Sequence, residues 1–354
     1  MHMADALLAP AVAATMYAAS AVTVGASVKT LKKDEASAKL PTMAVASALV
    51  FAGQMINYTI PGTGSSGHLC GGMLLTSLLG PQAGFLSMVV ILAIQALFFA
   101  DGGLLALGAN CWNMAFYGCF VGYYLLWRPI MRSKLFAGLG SKAAARAKII
   151  LASVLGCVIT LQLGAFSVVL ETSASGITEL PFGAFVGIMQ PIHLAIGLVE
   201  GLITSAVLVF VYEARPELLM DVNAAGKDAG KYSLKTTLVI LAVVVAIVGG
   251  GLSLFASGNP DGLEWSMFGN AESGYSENMG LDEESYGVSS GAAEVAGSIQ
   301  ERTAFLPDYA FANSDSAAGT SVSGLLGSAI VAGVAVLVCM AGGFFRKRKA
   351  AANA

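Results

Sequence analysis

Apolar residues run in long blocks along most of this chain, and the polar stretches between them are short. A helix that crosses a bilayer needs about 20 predominantly apolar residues at 1.5 Å of rise each. The segments Ala6–Val28, Pro41–Ile60, Pro81–Ala100, Gly103–Trp127, Ile149–Leu170, Phe182–Tyr212, Thr236–Ala256 and Val322–Phe345 meet or approach that length. Thr236–Ala256 holds no charge, and Phe182–Tyr212 holds only His193 and Glu200. His68–Gly80 is equally apolar but short for a full crossing. Counted as a short helix, it brings the pattern to nine elements.

Composition turns this pattern into a membrane assignment. Of 354 residues, 56% are hydrophobic and 12% charged, with a mean hydropathy of +0.74. Soluble proteins carry about 25% charged residues, so these few charges cannot coat a water-facing surface. The basic residues also orient the chain, because Lys and Arg favour cytoplasmic loops. Eighteen of the 19 fall at 29–39, 128–148, 215–235 and 346–349, leaving only Arg302. All four groups lie on one side only if His68–Gly80 counts as a leg of its own. The expected fold is an all-α polytopic membrane protein of about nine transmembrane helices, with the N-terminus outside and the C-terminus cytoplasmic.

Residues 258–320 form the longest polar segment, with 11 acidic residues against Arg302. Rich in Gly and Ser, the segment is expected outside as a mostly flexible, acidic loop. The pattern divides the chain into a seven-helix unit at 1–215, a cytoplasmic linker at 216–232 and a two-helix unit at 233–354. The start, MHMADALLAP, has no basic stretch before its apolar run, unlike a cleaved signal peptide, so Met1 and His2 are expected at the outer face. A net charge of −3 gives no reason to expect nucleic acid as a partner. Cys70, Cys111, Cys119, Cys157 and Cys339 sit in apolar segments without ligand spacing and read as small core residues.

Topology brings two of the three histidines to one mouth of the bundle: His2, and His68 behind the loop Gly62–Gly67. The Met1 amine, the His2 backbone nitrogen and the two imidazoles together offer four nitrogen donors. Nitrogens in a plane suit Ni(II) or Cu(II), and imidazole serves other transition metals as well. The competing reading is an exposed terminal histidine and an interfacial helix cap. Asp101 reads either as a helix cap or as a support for the site; Asn110, Asn113, Gln95 and Ser66 are further candidates for orienting a ligand. His193 and Glu200 share a helix face two turns apart and read first as a packing pair. Small residues at Ala14, Ala18 and Gly25 permit a close helix approach on the first span.

Several enzyme classes lose support. No P-loop or HExxH motif occurs in the chain. The G-x-G-x-x-G match at Gly62–Gly67 follows an apolar helix rather than a strand, and reads as a flexible, close-packed loop. The G-x-S-x-G match at Gly287–Gly291 has no histidine downstream. ATP, if used, is hydrolysed by a separate chain.

The start MHMADALLAP and the segments INYTIPGTGSSGHLCGGMLL, QALFFADGGLLALGANCWNM and PIHLAIGLVEGLIT resemble the CbiM/NikM family. NPDGLEW at 259–265 and PDYAF at 307–311 resemble its small CbiN/NikN-type partner, here fused to it. These are substrate-binding components of cobalt/nickel energy-coupling factor (ECF) transporters in bacterial or archaeal cytoplasmic membranes. The resemblance implies high-affinity uptake of Ni(II) or Co(II), bound as substrate rather than cofactor, and metal ligands at Met1, His2 and His68. Asp101, Asn110 and Ser66 are the expected supporting residues. It also implies a transmembrane coupling subunit and two ATPase subunits as partners, in contact with membrane lipid. A passive divalent-metal channel and a membrane scaffold subunit are the alternatives; no catalytic residue is expected. Cys70 stands where Leu or Gly is commoner and adds a soft donor near His68.

Overall fold

The computed structural model describes the chain except residues 32, 177–180, 223–229, 272–286, 288, 312–313, 315 and 353–354, and the side chains of 33–38 and 338–352. Helix α1 (Pro10–Thr30) starts on a proline, whose missing N–H costs nothing in a first turn. Helix α2 (Lys33–Gln54) follows and leads into an antiparallel hairpin of β1 (Tyr58–Ile60) and β2 (Ser65–Gly67), with Thr59 opposite Ser66. Next come α3 (Gly72–Leu79) and α4 (Pro81–Ile94), joined at Gly80, whose φ of 84° favours a residue without a Cβ. A π turn over Gln95–Phe99 ends that rod. Helix α5 (Leu107–Asn110), wide π-type turns over Cys111–Trp127 and α6 (Arg128–Arg132) make one continuous rod.

The two longest spans of the first unit, α7 (Ser141–Ala174) and α8 (Phe182–Ala214), pack against each other. Their backbones meet at glycines: a Cβ on Gly201 would lie 2.7 Å from Val154 Cα, and one on Gly197 3.0 Å from Val158 Cα. Such small-residue seams replace hydrophobic driving force where lipid is the solvent. Helix α9 (Leu234–Gly250) is capped by Ser233, which accepts from Thr236 N at 3.1 Å. The acidic segment contributes α10 (Gly262–Phe268) and α11 (Gly291–Thr303), and α12 (Ala318–Ala352) closes the chain. Both α9 and α12 pack on α2, so the two-helix unit docks on the second helix of the first.

Six described helices are long and apolar enough to cross a membrane: Pro10–Thr30, Pro81–Phe99, Ser141–Ala174, Phe182–Ala214, Leu234–Phe255 and Ala318–Leu337. The other expected legs are α2, the 107–132 rod and α3. The last is shorter than the 68–80 helix the sequence suggests, because residues 68–71 are not helical and Gly71 turns into the helix in a left-handed conformation. Even so, its leg runs beside α2. Gln54 Nε2 donates to Cys70 O at one end (2.8 Å), and Lys39 Nζ donates to Leu79 O at the other (3.0 Å).

Two expectations are corrected. The Gly62–Gly67 segment is not a flexible loop: its second half is a buried strand. The described parts of 258–320 include regular structure, while the rest of the segment expected to be flexible (272–286, 288, 312–313 and 315) lies outside the described residues. Asp261 caps α10 and Ser290 caps α11, and the segment folds back on the mouth of the bundle. Its composition reflects solvent exposure on one side, while its caps and apolar anchors (Leu263, Met267, Leu306) fix the other. Ala14, Ala18 and Gly25 lie on an exposed face of α1.

Candidate metal site

The chain start is threaded into the bundle. Met1 and Met3 are buried, and Asn110 brackets Met3 by accepting from its N–H (2.8 Å) and donating to its carbonyl (3.2 Å). Gly103 N donates to the same carbonyl at 2.8 Å, and a Cβ there would strike Asp5 Oδ1 at 1.8 Å. Only glycine leaves room for the strand at that point. Asp5 in turn accepts from Ala106 N at 3.0 Å.

This threading brings the predicted trio together. The Met1 amine lies 3.1 Å from His68 Nε2, and the His2 ring stacks on His68 with centroids 5.0 Å apart and planes 25° from parallel. His68 Nδ1 sits 3.0 Å from Leu69 O, the contact expected of an N–H, which leaves Nε2 with the lone pair that faces the amine. His2 Nδ1 is 3.2 Å from Asp101 Oδ1, and His2 Nε2 is 3.3 Å from Gln95 Oε1. One ring nitrogen can therefore serve a metal while the other keeps a side-chain partner.

The loop carrying His68 is fixed from below. Glu200 accepts from the backbone N–H groups of Cys70 (3.0 Å) and Gly71 (2.9 Å), so this buried carboxylate holds the chain just past His68. Glu200 and His193 make no hydrogen bond to each other among the described residues. His193 Nδ1 turns instead to Met189 O at 2.7 Å. The pairing suggested by their spacing is thus replaced by a backbone anchor, since a buried carboxylate gains more from two amides than from a histidine already bonded within its own helix. Asn113 supports Glu171, donating to Oε2 at 2.7 Å. Cys70 lines a separate small cavity with Asn113, Cys157 and Glu200, whose walls include neither His2 nor His68.

Ser66 is close to the site but serves the two-helix unit. Its Oγ donates to Asn259 O (2.7 Å), and its N–H donates to Pro260 O (2.9 Å). That contact delivers Asp261, whose Oδ1 caps α10 and whose Oδ2 forms an ion pair with the Met1 amine. Burial disfavours the Asp261 carboxylate, yet the ammonium beside it, His68 and the hydrogen bonds it accepts together more than offset that and lower its pKa. Burial lowers His68 to about 3, helped by the amine and His2. Burial also lowers His2, against the pull of Asp101. Both rings are thereby biased toward the neutral form that ligates metal.

Above the pair lies an open cavity of about 300 Å³ bounded by His2, His68, Asp101, Asp261, Asp308 and Tyr309. Among the described residues no three His, Cys, Asp or Glu side chains converge as a metal set. The amine and backbone amide of the chain start must therefore supply donors if a metal is held here. Sequence reasoning placed no role on Asp261 or Tyr309. Both sit in the PDG and PDYAF stretches already marked as distinctive, but their partners are about 200 or more positions away along the chain.

A family model described as CbiM, cobalt uptake substrate-specific transmembrane region, matches residues 2–218, and a PDGLE domain matches 235–342. A relative from Archaeoglobus fulgidus is 33% identical over 338 residues, covering 94% of this chain and 95% of that one. A fused nickel transport protein, NikMN, of Rhodobacter capsulatus is 33% identical over 350 residues, covering 94% and 96%. A solved structure described as a truncated transition metal transporter is 31% identical and covers 60% of this chain and 99% of its own, with a TM-score of 0.48. The chain is a multi-pass membrane protein of the CbiM/NikM family, joined in one polypeptide to a CbiN/NikN-like PDGLE unit.

Proposed function

We propose that this chain is the substrate-capture subunit of an ECF-type transporter for Ni(II) or Co(II). The observation that carries the reading is the meeting of the Met1 amine, His2 and His68 in one buried cluster. In this reading the amine, the His2 backbone nitrogen, one His2 ring nitrogen and His68 Nε2 surround the metal. Binding displaces the amine from Asp261 and releases two protons, one from the ammonium and one from the His2 backbone amide, because only the deprotonated nitrogens have a lone pair to give. Planar nitrogen donors favour Ni(II). Asp101 and Asn110 hold His2 and Met3 in place, and Ser66 holds the covering unit.

The bundle crosses the membrane nine times, with the N-terminus outside, as a seven-helix unit (1–215), a cytoplasmic linker (216–232) and a two-helix unit (233–354). Supporting this, His68 and Leu79 lie at opposite ends of the short leg, and Lys39 meets the latter. Energy comes from two ATPase subunits through a transmembrane coupling subunit. The test is an added N-terminal residue and, separately, His2→Ala in the purified chain. Each is expected to abolish high-affinity Ni(II) and Co(II) binding; unchanged affinity in both would overturn the site. In cells, uptake that persists after depletion of the ATPase partners would overturn the energised mechanism.

A further inference from the structure

The acidic segment delivers one more group to the site, and it reaches His2 through two intermediaries. Tyr309 Oη donates to Asp101 Oδ2 and accepts from Gln95 Nε2 at 3.2 Å. The other oxygen of Asp101 faces His2 Nδ1, and the oxygen of Gln95 faces His2 Nε2. The four side chains close a ring: His2, Asp101, Tyr309, Gln95 and back to His2. We propose that Tyr309 is a positioning residue for the metal-ligating imidazole of His2, supplied by the two-helix unit to the site of the seven-helix unit. This inference rests on the metal-site reading above.

The ring has a direction. A carboxylate can only accept, so the phenol donates to Asp101 and is left with its lone pairs for the Gln95 NH₂. Gln95 must then turn its oxygen to His2, and Nε2 of His2 must be the N–H that donates to it. Nδ1 faces the Asp101 carboxylate, which likewise can only accept, so this nitrogen must leave Asp101 and give up any proton before its lone pair can turn to a metal beside the Met1 amine. One hydroxyl thus holds the groups that face both imidazole nitrogens without touching either. A hydrogen-bonded partner behind the ligand that fixes its ring orientation is a general device of histidine metal sites.

The backbone is committed to placing that hydroxyl. Asp308 and Tyr309 have φ of 51° and 60°, a left-handed conformation that residues with a Cβ rarely adopt, and here two occur in succession. Leu306 N donates to Phe98 O at 3.3 Å, which ties the turn to the π segment bearing Gln95 and Phe99. The Tyr309 ring stacks on Phe99 with centroids 5.0 Å apart and meets Phe51 edge-on at 6.2 Å. Ring packing and hydroxyl are therefore separable: phenylalanine keeps the first and removes the second.

The experiment uses the full chain in nanodiscs, titrated with Ni(II), with the ligand-field absorption of the complex recorded alongside affinity. Tyr309→Phe is expected to weaken Ni(II) about 10–100-fold and to displace the absorption band, with the melting midpoint of the metal-free protein unchanged. Asp101→Asn should displace the band in the same sense, and the double variant should show less than the sum of the two effects. Unchanged affinity and spectrum in Tyr309→Phe would overturn the proposal, and so would a loss of affinity with an unmoved band, which marks a packing role only. His2→Ala separates the two layers. If it abolishes binding while Tyr309→Phe changes nothing, only the positioning role falls. If His2→Ala leaves Ni(II) bound as before, the metal site falls and takes this inference with it.

Discussion

Asp261, on the loop of the two-helix unit, forms an ion pair with the amine of Met1, 260 positions away in the chain. The same carboxylate caps α10 through Leu263 N and Glu264 N. Its two oxygens therefore divide the work, one fixing the local helix and the other reaching the far end of the polypeptide. Asp261→Asn keeps an oxygen for the cap and removes the charge, whereas Asp261→Ala removes both. The melting midpoint of the metal-free protein should fall in that order, with the cap accounting for about 1 kcal/mol of the difference between the variants. Equal midpoints for Asn and Ala would show that the cap contributes nothing.

Gly103 is the gatepost of the threaded N-terminus. Any Cβ there meets Asp5, so Gly103→Ala is expected to expel residues 1–5 rather than unfold the bundle. Overpacking of this kind costs about 1–3 kcal/mol, or about 5–150-fold in Ni(II) affinity. Circular dichroism should show unchanged helix content beside that loss in a metal titration. Full affinity in Gly103→Ala would mean that the chain start is not held where the site needs it.

Glu200 fixes the loop of His68 without lining the cavity at His2 and His68. Replacing it by alanine leaves two buried amides unpaired, at about 1–3 kcal/mol each. Glu200→Gln keeps one good acceptor and should retain much of the binding, so Ni(II) affinity is expected to rank wild type, Gln, Ala. A Gln variant as weak as Ala would shift the weight from hydrogen bonding to the charge itself.

The stretch 216–232 is expected not to be what holds the two units together. Helices α9 and α12 pack on α2, and the 259–261 segment lies on Ser66, so the contact between the units runs from the helices to the mouth. A protease site inserted in the linker and cut after purification should leave both fragments in one complex by size-exclusion chromatography. Separation of the fragments would show that the covalent link is required.

Much of the architecture was legible in one dimension because a bilayer imposes one-dimensional rules. Apolar runs had to be long and charges had to collect between them, so the helices could be read off the chain. The pairing of Met1 and His2 with His68 was also accessible, since topology alone puts them at one mouth. Three things were not. The Gly62–Gly67 segment contains a buried strand because its backbone pairs with Tyr58–Ile60, a partner set by the fold. Glu200 bonds Cys70 and Gly71 rather than His193, because helix packing, not helix spacing, chooses its neighbours. The acidic segment, which composition alone marks as flexible, is anchored on the site where it is described.

The sequence by itself determined that this is a membrane bundle, where its polar edges lie and which histidines share a mouth. Those properties depend on the transfer energies of single side chains and on distances along the chain. Only the tertiary structure decided that Asp261 meets the Met1 amine and that Tyr309 reaches His2 through Asp101 and Gln95. Those contacts join residues separated by hundreds of positions, and hydrogen-bond geometry acts over about 3 Å, a scale that no one-dimensional pattern records.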